Sequence, residues 1–308
     1  MSRSVKLLLL LLVLQAGLVA WVNFQGDEPG AVEADEPLLA LDLESADAVT
    51  IEQKGDAPLR LARKDAGWVL SGKGDFPVAS AKFEEFTEKL LRARRSWPVG
   101  RTLVAARRLR VTEEDFERRV RFLKGTEVLG DVFLGSSPGF RKVHARLDGD
   151  EHTHAIGFNA FDAPPDASWW YDTEVLQTAV EDIARIDLGV YALKAGEGGF
   201  QVEGLRENEE TDAGPVKELV ERVAGVDFRE VLSKDGKARF DAGRPILDYI
   251  IETKAGSAIT HTVVSPEEGD HYILKSSAQP HYFEVGKERF DKLRDTSRVQ
   301  LVKGVVSG

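Results

Sequence analysis

The chain has 308 residues, 42% hydrophobic and 30% charged, a mixture that supports a folded core and excludes a wholly disordered or collagen-like polymer. Its 52 acidic residues against 41 basic ones leave a net charge of −11, which repels phosphate backbones and argues against nucleic acid as a partner. Cysteine is absent, so disulfides, thiolate zinc sites, iron–sulfur clusters and cysteine nucleophiles are excluded.

Residues 7–24 read LLLLLLVLQAGLVAWVNF, an uncharged stretch of 18 residues preceded by Arg3 and Lys6 and followed by Asp27, Glu28, Glu33, Asp35 and Glu36. As a helix it would span about 27 Å, close to the hydrocarbon thickness of a bilayer. The basic residues before it and the acids after it predict a single-pass anchor in a bacterial-type inner (cytoplasmic) membrane, with the amino terminus cytoplasmic and the bulk of the chain periplasmic. A cleaved signal peptide is the competing reading, although a cut after Ala20 would place Leu18 at a position that peptidases prefer small. Residues 1–24 are thus expected as cytoplasmic tip and transmembrane anchor, and 25–45, rich in acids with Gly26, Pro29, Gly30 and Pro37, as a tether.

Alternation in Val49-Thr50-Ile51 and Leu59-Arg60-Leu61, followed by Trp68-Val69-Leu70 after a turn at Asp65-Ala66-Gly67, predicts a small antiparallel meander. Phe83, Phe86, Leu90 and Leu91 recur at helical spacing, with Glu84, Glu85, Glu88 and Lys89 on the other side, and predict an amphipathic helix. Val120 and Phe122, then Val128 and Val132-Phe133-Leu134, predict a hairpin across Lys124-Gly125 that continues into Val143 to Leu147. Ala155-Ile156-Gly157, the loop at Ala163-Pro164-Pro165, Trp169-Trp170-Tyr171 and a short helix over 173–180 follow.

A second pass then begins. Ile186-Asp187-Leu188 stands where Val49-Thr50-Ile51 stood, Gly199-Phe200-Gln201-Val202 matches Gly67-Trp68-Val69-Leu70, and Val216, Leu219 and Val223 match Phe83, Phe86 and Leu90. Residues 249–259 repeat the hairpin, and His281 to Gly286 align with His152 to Gly157 at a spacing of 129. The simplest account is an α+β fold of two tandem repeats, 46–182 and 183–308, each an antiparallel sheet with a packed helix, behind an N-terminal transmembrane helix.

With Val49, Ile51, Gly67, Trp68, Phe83, Phe86, Leu90, the run from Arg108 through Phe116, Leu134-Gly135 and Trp170-Tyr171-Asp172, the chain resembles the domain of unknown function 4340 family. That resemblance implies a membrane-anchored accessory protein of unassigned biochemical role, often encoded beside ABC-transporter and gliding-motility-type components.

Four groups of residues invite a chemical reading. Gly135-Ser136-Ser137-Pro138-Gly139 satisfies G-x-S-x-G, but the following alternation predicts a strand-to-strand turn instead of the strand-to-helix elbow that a nucleophilic Ser137 needs. His152 and His154 share a strand face, with His144 across a hairpin, yet two histidines do not close a metal shell. Trp169, Trp170 and Tyr171 offer an aromatic contact for a partner or ligand, against the plainer expectation that at least one ring faces the core. Arg92, Arg94, Arg95, Arg101, Arg107, Arg108 and Arg110 make a locally basic stretch suited to lipid headgroups or an acidic partner surface, against a solvated helix end.

These readings assign no catalytic residue, cofactor or metal. They lead to a non-enzymatic, membrane-anchored extracytoplasmic accessory protein that binds a membrane protein, a transporter component. An extracytoplasmic ligand-binding or hydrolytic module is the alternative.

Overall fold

The protein is seen in a computed structural model that describes Gln15, residues 36–232 and residues 236–304. Among these residues, eighteen strands form three sheets. The first holds β1 (Ala48–Glu52), β2 (Leu59–Lys64), β3 (Gly67–Leu70), β4 (Phe76–Pro77), β5 (Arg118–Lys124), β6 (Glu127–Leu134), β7 (Val143–Leu147) and β8 (His154–Ile156), in the order β4-β3-β2-β1-β5-β6-β7-β8. The second holds β9 (Ile183–Asp187), β10 (Ala192–Gly196), β11 (Gly199–Val202), β13 (Glu230–Leu232), β14 (Arg244–Thr253), β15 (Ala258–Ser265), β16 (His271–Ser276) and β17 (Tyr282–Gly286), in the order β11-β10-β9-β14-β15-β16-β17-β13. A two-stranded ribbon joins β12 (Glu209–Thr211) to β18 (Val302–Gly304). Five α-helices lie between or after the strands: α1 (Ser80–Leu91), α2 (Leu103–Arg108), α3 (Ala213–Ala224), α4 (Gly236–Asp241) and α5 (Lys287–Asp295).

The strands follow from period-two patterning. In β5, Val120 and Phe122 are fully buried between less buried arginines, and in β17 Phe283 and Val285 alternate with Tyr282 and Glu284 in the same way. Gly125, at φ +60°, closes the β5–β6 hairpin in a conformation that costs glycine little, and its N–H donates to the Asp47 carboxylate at 2.6 Å. The helices α1 and α3 follow from the other period: Phe83, Phe86 and Leu90 are buried on one, Val216, Leu219, Val220 and Val223 on the other. Asp212 caps α3 by accepting from Gly214 N–H.

The expected fold class needs correction. The described residues are mostly antiparallel sheet with few helices, and α1 and α3 are only twelve residues each, so they do not form the expected pair of helix-packed α+β repeats. The physical reason lies in how the apolar residues are spaced: alternating or short continuous apolar runs of strand length, as in β2, β5, β6 and β17, fill most of the described chain, whereas helical spacing is confined to short segments. No helix among the described residues is long and apolar enough to cross a membrane, and the stretch 7–24 that carried that expectation lies outside the described residues except for Gln15. The expected helix over 173–180 is a single 3-10 turn at Thr173–Leu176 capped by Asp172, with a second at Val180–Asp182.

Close backbone contacts divide the described chain into two compact units: a smaller one of 36–41, 88–119 and 130–162, and a larger one of 42–87, 120–129 and 163–304. In the smaller unit, Ala106, Val111, Phe116 and Phe133 form a buried cluster with Leu109 against it. Phe133 lies beneath the guanidinium groups of Arg119 and Arg146, at 4.6 and 5.1 Å from its ring centre, and Arg119 grips Asp131 through a two-pronged ion pair with contacts of 2.9 and 2.6 Å. In the larger unit, Phe76, Tyr171, Phe228, His281 and Phe283 pack ring against ring at centroid distances of 4.9 to 6.4 Å.

Candidate functional site

The aromatic run 169–171 sits at a 3-10 turn, Ala167–Trp170, capped by Asp166, whose carboxylate accepts from Ser168 N–H at 2.9 Å. A 3-10 helix has three residues per turn, so consecutive side chains point about 120° apart and three successive rings do not share a face. Trp170 is fully buried, donates from Nε1 to Pro164 O at 2.9 Å and meets Phe86 edge-on at 5.4 Å. Tyr171 is also buried, with its backbone bridged to Val78 and its ring against Phe76 and Phe228. The expected three-ring contact surface is therefore corrected to one residue: Trp169, 53% exposed. Its indole lies 5.3 Å from the Lys82 ammonium, which also donates to the Trp169 carbonyl at 2.8 Å.

The Tyr171 hydroxyl enters a polar network that the sequence did not signal. It donates to Glu230, whose same oxygen accepts from Lys73 Nζ at 3.0 Å and from Val231 N–H at 2.9 Å. Burial first, then the Glu230 carboxylate, push the Tyr171 hydroxyl well above its ordinary value, so it remains a proton donor. Nearby, His281 Nε2 donates to Gly74 O at 2.9 Å, while its buried Nδ1 has no partner among the described residues. Strand β13 supplies Glu230 and the segment around β4 supplies Lys73 and Gly74, so the network ties residues 157 positions apart within the larger unit.

The G-x-S-x-G stretch forms the loop between β6 and β7, the strand-to-strand connection its flanking pattern implies. Ser137 is exposed, with Oγ 2.8 Å from Gly139 O and 2.7 Å from Lys142 O. It is Ser136 that meets a histidine: its Oγ lies 3.1 Å from His144 Nδ1 and 3.2 Å from Leu109 O. Burial pushes the His144 imidazole below the ordinary histidine value. Gly135 precedes this pair because a Cβ there would overlap the carbonyl oxygens of Leu109 and Arg110.

His152 and His154 are neighbours, with ring centres 6.4 Å apart, but they serve different partners. His154 is buried and donates from Nδ1 to Ser96 O at 2.7 Å, and burial holds its imidazole below the ordinary value. His152 is partly exposed and pairs with Asp150 at 3.2 Å. No group of three or more His, Asp or Glu residues placed to hold a metal occurs among the described residues.

Of the seven arginines between 92 and 110, Arg92 pairs with Glu88, Arg95 with Asp150 and Arg110 with Glu117. Arg101, Arg107 and Arg108 are exposed and make no ion pair among the described residues. They flank Trp97, Val99, Leu103 and Val104, which are 63%, 46%, 58% and 77% exposed.

Residues 68–243 match the model of a protein family described as Domain of unknown function (DUF4340). No curated protein and no solved structure matches the chain.

Proposed function

We propose, for a chain that belongs to the domain of unknown function 4340 family, that it is a non-enzymatic accessory protein, held at a bacterial-type inner membrane through residues 7–24, whose extracytoplasmic part binds another membrane protein. The observation that carries this reading is Trp169. The Lys82 ammonium donates to the Trp169 carbonyl and lies over its indole, which is half in water, so a partner that covers this ring gains apolar burial from a side chain that already has a neighbour to pack on. Attachment near the bilayer raises the effective concentration of the binding surface beside other membrane proteins, so a modest affinity suffices. The family resemblance points to components of an ABC-type transport or gliding-motility-like complex as partners.

The hydrolytic alternative draws on one contact, Ser136 Oγ to His144 Nδ1 at 3.1 Å. Affinity purification of the full chain from detergent-solubilised membranes separates the two. A co-eluting membrane protein that is lost in Trp169→Ala supports the accessory role. Full cellular function in an exported chain lacking residues 5–24, with nothing co-eluting, overturns it.

A further inference from the structure

We infer that the smaller unit carries a second membrane contact, in which residues 97–108 rest on an anionic phospholipid surface; this rests on the reading that residues 7–24 hold the chain at a membrane.

The backbone of this segment is tied down. Val99 N–H donates to Thr153 O at 2.8 Å, Thr153 N–H returns a bond to Gly100 O at 2.9 Å, and Ala155 N–H donates to Ser96 Oγ at 3.2 Å. Helix α2 then starts with Thr102 as cap, its hydroxyl accepting from Ala105 N–H at 3.1 Å. One side of α2 is committed to the core, since Ala106 is buried beside Val111, Phe116 and Phe133. On the other side, Leu103 and Arg107 follow one another at a four-residue step, as do Val104 and Arg108, so two aliphatic and two cationic side chains share the exposed face. Trp97 and Arg101 continue the same composition along the preceding irregular segment.

Tryptophan, aliphatic side chains and arginine together match the bilayer interface, where an indole sits at headgroup level, short aliphatic groups reach the acyl boundary and guanidinium groups meet phosphates. Charge makes the same choice. The chain as a whole carries −11, so an anionic bilayer repels most of it and attracts a face on which three exposed arginines lack acidic partners among the described residues. The position of the chain entry agrees. Glu36 O accepts from Arg95 N–H at 2.8 Å and Pro37 bridges to Arg94, so the polypeptide joins the fold two residues before Trp97. The eleven residues 25–35 reach at most about 40 Å when fully extended, which keeps this face within range of a bilayer that holds 7–24.

The absence of cysteine gives a clean probe. The full chain carrying Val104→Cys, labelled with an environment-sensitive fluorophore, is reconstituted into vesicles of phosphatidylcholine alone or with phosphatidylglycerol, each containing a nitroxide-labelled lipid, and every sample is first floated on a density gradient. The expected result is a blue shift and nitroxide quenching in the anionic vesicles, weakened by high salt and by about fivefold per arginine removed at 101, 107 and 108, with no such change for a label at Val190→Cys in the larger unit. A chain that floats but keeps a water-exposed label at 104 in both vesicles overturns this inference and leaves the membrane attachment standing. Shielding of the label only after a membrane protein is added also overturns it, and makes the face a protein surface. A chain that does not float overturns both readings.

Discussion

Tyr249 and His261 face each other across β14 and β15, their rings stacked at 4.8 Å and within 11° of parallel, both almost completely buried. Neither the Tyr249 hydroxyl nor His261 Nδ1 has a hydrogen-bond partner among the described residues. A charged imidazole in this position would lose its hydration without a compensating contact, and burial accordingly pushes His261 from 6.5 down to about 4.

This burial of His261 makes stability depend on pH in a defined window. The folded chain keeps His261 neutral while the unfolded chain protonates it at its ordinary value, so its contribution is complete above pH 6.5 and is lost as pH falls toward about 4. The loss amounts to about 3 kcal/mol. Chemical denaturation at pH 7 and pH 4.5 checks this: His261→Phe should show a smaller difference between the two than the parent chain, and an equal difference would show that His261 does not carry it.

Trp169 and Trp170 should separate binding from stability. Trp170→Ala empties a fully buried position beside Phe86 and costs about 3–5 kcal/mol, whereas Trp169→Ala changes stability by no more than about 0.5 kcal/mol and abolishes partner recovery. Thermal unfolding and affinity purification of both variants read the two effects independently.

Tyr171, Lys73 and Glu230 act as a unit. Tyr171→Phe removes a hydrogen bond to a carboxylate and should cost about 2 kcal/mol, while Glu230→Ala leaves both the hydroxyl and the Lys73 ammonium unpaired. A double-mutant cycle over Tyr171→Phe and Glu230→Ala should return a coupling of about 1–2 kcal/mol; simple additivity would mean that the hydroxyl and the carboxylate are energetically independent.

Gly135→Ala should destabilise the smaller unit by about 3 kcal/mol, because the obstruction is backbone and has no rotamer by which to escape. Hydrogen exchange provides the local reading: protection should fall first at Ser136 N–H and His144 N–H, which bond to Leu109 O and Ser136 O. Uniform loss across the chain would place the strain elsewhere.

Alanine at Ser136, Ser137 or His152 should leave cellular function intact, since Ser136 and Ser137 bond to backbone carbonyls and His152 to Asp150 in loop roles. His154→Ala should lower stability by about 1–2 kcal/mol through loss of the Ser96 contact. A folded Ser136→Ala chain that loses function would turn the Ser136–His144 contact into a working pair.

Local order was legible in the residues. Apolar patterning marked β1, β2, β5 and β6, and the spacing of Phe83, Phe86 and Leu90, and of Val216, Leu219 and Val223, marked α1 and α3, because side-chain period is a property of neighbours in the chain. Pro138 and the alternation after it are local too, and they specify the turn between β6 and β7 in which Ser137 lies. The composition also confines any metal or redox chemistry, since no cysteine exists to supply thiolates.

What tertiary structure alone decided is which of those residues meet. Nothing within ten residues of Glu230 announces Lys73 or Tyr171, because packing brings together side chains 157 and 59 positions apart, and it is the register of the β14–β15 hairpin that sets His261 opposite Tyr249. The same holds for Trp169, Trp170 and Tyr171. Their sequence offers three equivalent rings, and a 3-10 turn packed on Phe76, Phe86 and Phe228 buries two of them and leaves one in water. Periodicity specifies which face of an element is apolar; only the packing of that element against distant ones determines which side chains remain on the surface for a partner.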